Sequence, residues 1–291
     1  MSVPNPIVHA PNLVRRNGAT APGQRAVPEE TAIAMTYNRT THAVMMGTPA
    51  DLEDFAVGFS LAERIVAGAN DIEELEVVPA DLGVEVRMWV AAPLMAALEK
   101  RRRQIAGATG CGLCGMESLA DTMQAPPKVR PGAPVPVAQV AAAAAGIGAH
   151  QTLNHVTRAV HAAAFWRDGL VALREDVGRH NALDKLSGAL LRGGEDPAAG
   201  FLVMTSRISV ELVQKAAVLG VGMIVAVSAP TALAIRVADA AGITLVGIAR
   251  SDGFEVFTHP GRIDFGEEFA AGEAYREPRS RLAPSHEPTP G

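Results

Sequence analysis

Residues 201–250 read FLVMTSRISVELVQKAAVLGVGMIVAVSAPTALAIRVADAAGITLVGIAR. Three short apolar runs, Phe201–Thr205, Met223–Ser228 and Ile243–Ala249, alternate with two helical patterns, Glu211–Leu219 and Thr231–Ala240. A strand covered on both faces reads as a continuous apolar run. Strands alternating with short helices imply an α/β domain of three layers around a largely parallel sheet. The stretch Ala216 to Ile235 carries no charge, which raises the question of a membrane span. It holds Gly220, Gly222, Ser228 and Pro230 and changes pattern midway, so it reads as a helix end, a buried strand and the next helix.

Upstream, His161–Phe165 and Leu170–Arg174 form a strand pair around Arg167-Asp168-Gly169, and a helix follows from Asn181 to Leu191. In open α/β sheets ligands bind beyond the carboxyl ends of the strands. Those ends are Arg174-Glu175-Asp176, Thr205-Ser206-Arg207, Ser228-Ala229-Pro230 and Arg250-Ser251-Asp252, all polar or small.

The first half of the chain has a different rhythm. Thr31–Tyr37 and His42–Met46 read as strands joined by Asn38-Arg39-Thr40, and Ile72–Val78 and Val84–Val90 as strands around Asp81-Leu82-Gly83. Between them Leu52, Phe55, Ala56, Phe59 and Leu61 make one apolar helix face. A further helix runs from Ala92 to Gln104 and ends in Lys100-Arg101-Arg102-Arg103, a solvated basic end favoured by the helix dipole. Gly107 to Gly115, with four glycines and both cysteines, is a loop. The Pro-rich segment Ala125–Pro136 marks a boundary, and an Ala-rich helix follows from Val137. The expected division is a disordered tail at 1–27, a smaller N-terminal α+β domain at 28–125, a C-terminal α/β domain at 126–274 and a disordered tail at 275–291.

The chain has 291 residues, of which 48% are apolar and 4% aromatic, so aliphatic side chains must fill the cores. A net charge of −5 argues against a nucleic-acid binder. The opening residues lack the apolar run of a secretory signal. Two cysteines three positions apart cannot form a disulfide scaffold.

Cys111 and Cys114 lie in Gly110-Cys111-Gly112-Leu113-Cys114-Gly115. Sulfur relay suits them, because the thiolate is the reactive form and glycines allow close approach. Half of a zinc site is a second reading, but no second CxxC exists, and only His150, His155 and His161 have the spacing of a histidine clasp. A thioredoxin-like redox pair is a third, although that motif places its first Cys where a strand enters a helix. An inert loop is the fourth, against the usual burial of free cysteine.

The stretch Glu175-Asp176-Val177-Gly178-Arg179-His180-Asn181-Ala182-Leu183-Asp184-Lys185 leaves a strand and enters a helix. It fits an anion site, with helix N–H groups and Arg179 as donors. It equally fits an ordinary connection with Asn181 as N-cap. Thr205-Ser206-Arg207-Ile208-Ser209 and Ser228-Ala229-Pro230-Thr231 repeat the theme, with Pro230 suited to a first helical position. Three such corners plus Arg250 suggest a pocket for a phosphate-bearing ligand.

These motifs resemble the formate dehydrogenase accessory sulfurtransferase family, FdhD. The resemblance rests on GCGLCG at Gly110–Gly115, EDVGRHNALDK at Glu175–Lys185, SRISVELVQKAA at Ser206–Ala217 and SAPTALA at Ser228–Ala234. TPADLEDFAVGF at Thr48–Phe59 and FTHPGRI at Phe257–Ile263 agree as well. One departure is Gly58-Phe59-Ser60-Leu61-Ala62-Glu63-Arg64, where the family has Leu after Phe and Gly after Glu.

The resemblance implies a cytoplasmic homodimer whose C-terminal domain is like that of cytidine deaminases. It implies a sulfur carrier that accepts persulfide sulfur from a cysteine desulfurase. The sulfur would pass to the molybdenum bis(molybdopterin guanine dinucleotide) cofactor, a bound substrate, before insertion into formate dehydrogenase. By motif position Cys111 would hold the persulfide, and Cys114 would assist or exchange it. Arg179, His180, Ser206, Arg207 and Ser228 would bind or orient the cofactor, with Ile248, Ala249, Arg250, Ser251, Asp252 and Gly253 as its nucleotide stretch. A deaminase-like fold raises zinc hydrolysis, but the pattern H-x-E…P-C-x-x-C is missing, since His161-Ala162-Ala163 lacks the Glu. No catalytic zinc is therefore expected. The rival reading is a chaperone that holds the cofactor without covalent sulfur chemistry. A redox switch using a Cys111–Cys114 disulfide is a third.

Overall fold

The computed structural model describes residues 2–108 and 126–266. Ile7–Arg16 (β1) and Ala19–Pro28 (β2) pair as an antiparallel hairpin. This corrects the expectation of a disordered tail over 1–27. The turn is Asn17-Gly18, with φ of 51° and 82°, the two left-handed residues that a tight hairpin turn needs. Glu29 N–H to the Pro6 carbonyl at 2.9 Å extends the ladder by one step, and Arg25 ties the hairpin to the rest of the chain through the Thr157 carbonyl at 3.1 Å.

Thr31–Tyr37 (β3), Thr40–Gly47 (β4), Ile72–Ala80 (β5) and Gly83–Val90 (β6) form a four-stranded sheet in the order β4-β3-β6-β5. Alternation along β6 sends Val84, Val86, Met88 and Val90 inward. They meet Ile33, Met35 and Tyr37 of β3 and the apolar stripe Leu52, Phe55, Phe59 of helix Leu52–Ala62 (α1). Helix Ala92–Ala108 (α2) follows β6. Its Arg101 donates two hydrogen bonds to the last carbonyls of the α1 region, Glu63 O at 3.0 Å and Arg64 O at 3.2 Å. The basic run expected to be a solvated helix end therefore also caps a neighbouring helix.

Past the boundary come Val135–Pro136 (β7), Val137–Gly146 (α3), Thr152–Thr157 (α4), His161–Trp166 (β8), Leu170–Asp176 (β9), Arg179–Arg192 (α5) and Phe201–Met204 (β10). Val210–Leu219 (α6), Met223–Ala226 (β11), Ala232–Ala241 (α7), Thr244–Arg250 (β12), Gly253–Thr258 (β13) and Ile263–Asp264 (β14) complete the order. The main sheet runs β13-β12-β11-β10-β8-β9. Only β10-β11 and β11-β12 pair in parallel; β12-β13, β10-β8 and β8-β9 are antiparallel. The expectation of a largely parallel sheet is corrected to a mixed one. Parallel neighbours need a long crossover, and the connections 167–169 and 251–252 are too short for one.

The layers are as expected. One sheet face, with Ala163, Phe165, Leu202, Met204, Ile224 and Leu245, packs on α5, α6 and α7. The other, with Ala162, Ala164, Val203, Val225 and Val246, packs on α3. The two sheets are joined by an antiparallel crossing of α1 on α5 so close that it excludes side chains. A Cβ at Gly58 would lie 1.7 Å from the Asp184 carbonyl oxygen, and one at Gly188 1.8 Å from that of Asp54. Among the described residues no helix is long and apolar enough to cross a membrane.

Candidate functional site

The carboxyl ends of β9, β10, β11 and β12 and the amino end of β8 share one edge of the main sheet. Backbone hydrogen bonds stitch its corners together. Ile208 N–H donates to Ala229 O, Thr231 N–H to Ile208 O and Ile248 N–H to Ser228 O. Thr205 joins β8 by donating its N–H to Ala162 O and accepting the Ala162 N–H on Oγ1 at 2.9 Å. The edge from β9 to β12 spans four strand spacings, about 19 Å at roughly 4.8 Å each. It thus brings Ser206, Arg207, Ser228 and Ile248 into one group and sets Arg179 and His180 at the far end.

In the β12–β13 hairpin, Arg250 pairs with Gly253 across Ser251 and Asp252, and all four are exposed. A bulge separates Gly247 from Arg250, and Ile248 sits there at φ 52°. A β-branched residue in the left-handed region is strained by roughly 1–3 kcal/mol, a cost that structures hold at ligand-binding corners. Gly247 lets the 228–230 corner close on the hairpin, since a Cβ there would meet Pro230 Cδ at 2.8 Å. Ala249 is buried, and Ser206 is buried with its hydroxyl on Arg207 O, so these two shape the corner rather than face solvent. Arg207 and Arg250 are exposed.

At the other end, α5 begins after Gly178, which is the N-cap and gives no side-chain bond. Asn181, expected as N-cap, lies within the helix instead. Its amide donates to Met46 O at 2.8 Å and Asp176 Oδ1 at 3.0 Å. Pro230 likewise falls before the helix, whose N-cap is Thr231, bonded to Ala234 N–H. Ser209 is the N-cap of α6.

Much of the EDVGRHNALDK stretch is a clamp between the two sheets. Asp176 and Lys185, both fully buried, pair at 2.7 Å. Asp176 also accepts Thr48 N–H at 2.9 Å and Gly178 N–H at 2.7 Å, and Lys185 reaches Thr48 O at 2.8 Å. Glu175 accepts the N–H groups of Leu153 and Asn154, capping α4. Arg179 and His180 are left for the edge. Arg179 Nε is buried without a hydrogen-bond partner. His180 has its pKa pushed down to about 4 by burial and by the charges of Arg179 and Lys215. His161 is lowered by burial and by Arg179. Both imidazoles are therefore neutral hydrogen-bonding groups near pH 7.

Lys215 stands near His180 without having been singled out, whereas His161 and Thr205 were named as a possible metal ligand and as a corner residue. Lys215 is pinned to buried Asp184 at 2.5 Å, and burial raises the Asp184 carboxyl. The signal for Lys215 was its spacing four residues after Glu211 on the exposed start of a helix, which marks one side of α6 as polar. Among the described residues, Arg179, Arg207 and Arg250 make no ion pair, whereas Arg87, Arg174 and Arg192 each do. Arg207 and Arg250 are exposed cations at the strand ends, and the Arg179 charge acts on the Glu211 carboxylate at the start of α6. No group of three or more His, Cys, Asp or Glu among the described residues is placed to hold a metal ion. Cys111 and Cys114 lie outside the described residues.

Comparison with known proteins agrees with the motifs. The model of the FdhD/NarQ family matches residues 28–264. A protein of Agrobacterium fabrum named sulfur carrier protein FdhD is 50% identical over 251 residues, 85% of this chain and 93% of that one. One of the same name from Cupriavidus necator is 50% identical over 239 residues, 81% of this chain and 83% of that one. A crystal structure of a candidate formate dehydrogenase accessory protein from Desulfotalea psychrophila superposes with a TM-score of 0.69 at 25% identity, over 89% of this chain and all of that one. The chain belongs to the FdhD/NarQ family.

Proposed function

We propose that this protein is a sulfur carrier for formate dehydrogenase. It would accept sulfur from a cysteine desulfurase and deliver it to the molybdenum bis(molybdopterin guanine dinucleotide) cofactor. The observation that carries the binding half is the exposed pair Arg207 and Arg250 at the strand ends around the strained Ile248 corner. A pyrophosphate-linked nucleotide supplies the missing negative charge, and an edge of about 19 Å accommodates an extended ligand. That relatives 50% identical to this chain are named sulfur carriers supports the sulfur half.

The sulfur chemistry balances with the two thiols of the CxxC loop. The Cys111 thiolate attacks the outer sulfur of the donor persulfide, whose S–S bond breaks as the donor cysteine leaves as thiolate. Cys114 then attacks the inner sulfur of the Cys111 persulfide. A Cys111–Cys114 disulfide forms and the outer sulfur leaves as hydrosulfide, reduced by two electrons. Exchange of hydrosulfide for an oxygen ligand of molybdenum releases water, and a small thiol reductant restores the dithiol. His180, its pKa pushed down to about 4, stays neutral at pH 7 and offers the edge a hydrogen-bonding group without added charge.

We extend the proposal to a cytoplasmic homodimer, a cytidine-deaminase-like C-terminal domain from 126 and an N-terminal domain ending in the CxxC loop. Titration with GDP, a stand-in for the cofactor's nucleotide ends, tests the binding half. Arg207→Ala with Arg250→Ala should weaken binding at least tenfold. Unchanged affinity would remove the edge from the account. A non-covalent chaperone would keep GDP binding and full support of formate dehydrogenase in Cys111→Ala and Cys114→Ala.

A further inference from the structure

A cavity opens at the opposite edge of the main sheet, at the amino ends of β10 and β11. It has a volume of about 310 Å³. Its walls are the extended segment 132–136, the turn 198–200, the Trp166 ring, and the side chains of Arg130, Arg167, Asp168 and Arg262. Arg262 is the unusual member. Its Nη1 serves the carbonyls of Gly222 at 2.5 Å and Gly242 at 2.9 Å and the Thr244 hydroxyl at 3.1 Å. These neutral acceptors fix the group in place but leave its charge unmatched. It makes no ion pair among the described residues, and burial pushes its pKa below the ordinary value. The guanidinium lies flat against Gly222, where a Cβ would be 3.2 Å from Cζ.

The other charges follow one pattern. Arg167 and Arg130 are held at the rim by Glu195 at 2.9 Å and Asp196 at 3.6 Å, neither of which lines the cavity. Asp168, the one carboxylate of the wall, is occupied by the Gln139 amide at 2.6 Å. A half-buried cation without a counter-ion is costly, and an anion beside it removes the cost. We propose that this cavity binds a small oxyanion-bearing ligand, phosphate or carboxylate, with Arg262 at its base, Arg130 and Arg167 at its rim and Trp166 as an apolar wall. Its volume lies at the bottom of the roughly 300–1,000 Å³ range of ligand pockets, so the ligand is of mononucleotide size or smaller. The site is separate from the carboxyl edge and does not rest on the sulfur-carrier reading.

Trp166 makes the test local, because Trp89 is the other tryptophan of the chain. The full chain carrying Trp89→Phe is titrated with inorganic phosphate at constant ionic strength, and Trp166 emission is followed. A saturable change is expected. Arg130→Gln with Arg167→Gln, whose exposed side chains can be replaced without unfolding, should weaken it at least tenfold. Arg207→Ala with Arg250→Ala should leave it unchanged. Absence of a saturable response, an equal response in the Arg130/Arg167 variant, or its loss in the Arg207/Arg250 variant would each overturn the proposal.

Discussion

At the scale of single residues, the same sequence motif serves two purposes. Asp176, Asn181 and Lys185 bind one another and the 46–48 strand end, while Arg179 and His180, lying between them in sequence, stand among His161, Glu211 and Lys215. A buried ion pair contributes little against an apolar substitute, but breaking one partner leaves an uncompensated charge. Lys185→Met and Asp176→Asn should therefore each cost about 3–5 kcal/mol in urea unfolding. Equal stability of Lys185→Met and wild type would contradict the clamp. His180 gives a pH signature. Its folded pKa of about 4 lies below the ordinary 6.5, so on acidification the unfolded chain takes up the proton first. The stabilising contribution is complete above about pH 6.5 and is lost as pH falls towards 4. His180→Asn should flatten that limb of the stability profile, and NMR titration of His180 should show a midpoint far below 6.5.

At the scale of elements, the α1–α5 crossing sets how the two sheets meet. Gly58 and Gly188 allow backbone to lie on backbone there. Gly58→Ala and Gly188→Ala should each destabilise at the upper end of about 1–3 kcal/mol or beyond, read from denaturant midpoints, since the new Cβ meets a carbonyl and not a movable side chain. Unshifted midpoints would mean that the helices sit farther apart. Elements with strong periodicity were legible in the sequence. The apolar runs of β10, β11 and β12, the stripe of α1 and the alternation of β6 are where they were expected. The β1–β2 hairpin was not, because Pro11, Pro22 and Gly23 break its pattern and the Asn17-Gly18 turn signal is only two residues long. The mixed sheet was missed because apolar runs report burial and carry no information on strand direction.

At the scale of the molecule, sequence order placed the strand ends along one edge but not the packing roles there. Strand ends follow from where apolar runs stop, so the positions of Arg207, Ser228 and Arg250 at that edge could be read. That Asn181 turns inward to Met46, 135 residues away in sequence, depends on tertiary docking that no local pattern encodes. The molecule so assembled has Arg207 and Arg250 exposed at one edge of its main sheet, and α2 is bonded through Arg101 to the end of the α1 region. Function as a sulfur carrier requires sulfur on Cys111, which lies outside the described residues. The direct measurement is intact-protein mass spectrometry after incubation with a cysteine desulfurase and cysteine, on wild type, Cys111→Ala and Cys114→Ala, with and without reductant. A gain of one sulfur that reductant removes is expected in wild type and Cys114→Ala and not in Cys111→Ala. A wild type that gains no sulfur while still binding GDP would contradict the carrier mechanism and leave a cofactor chaperone.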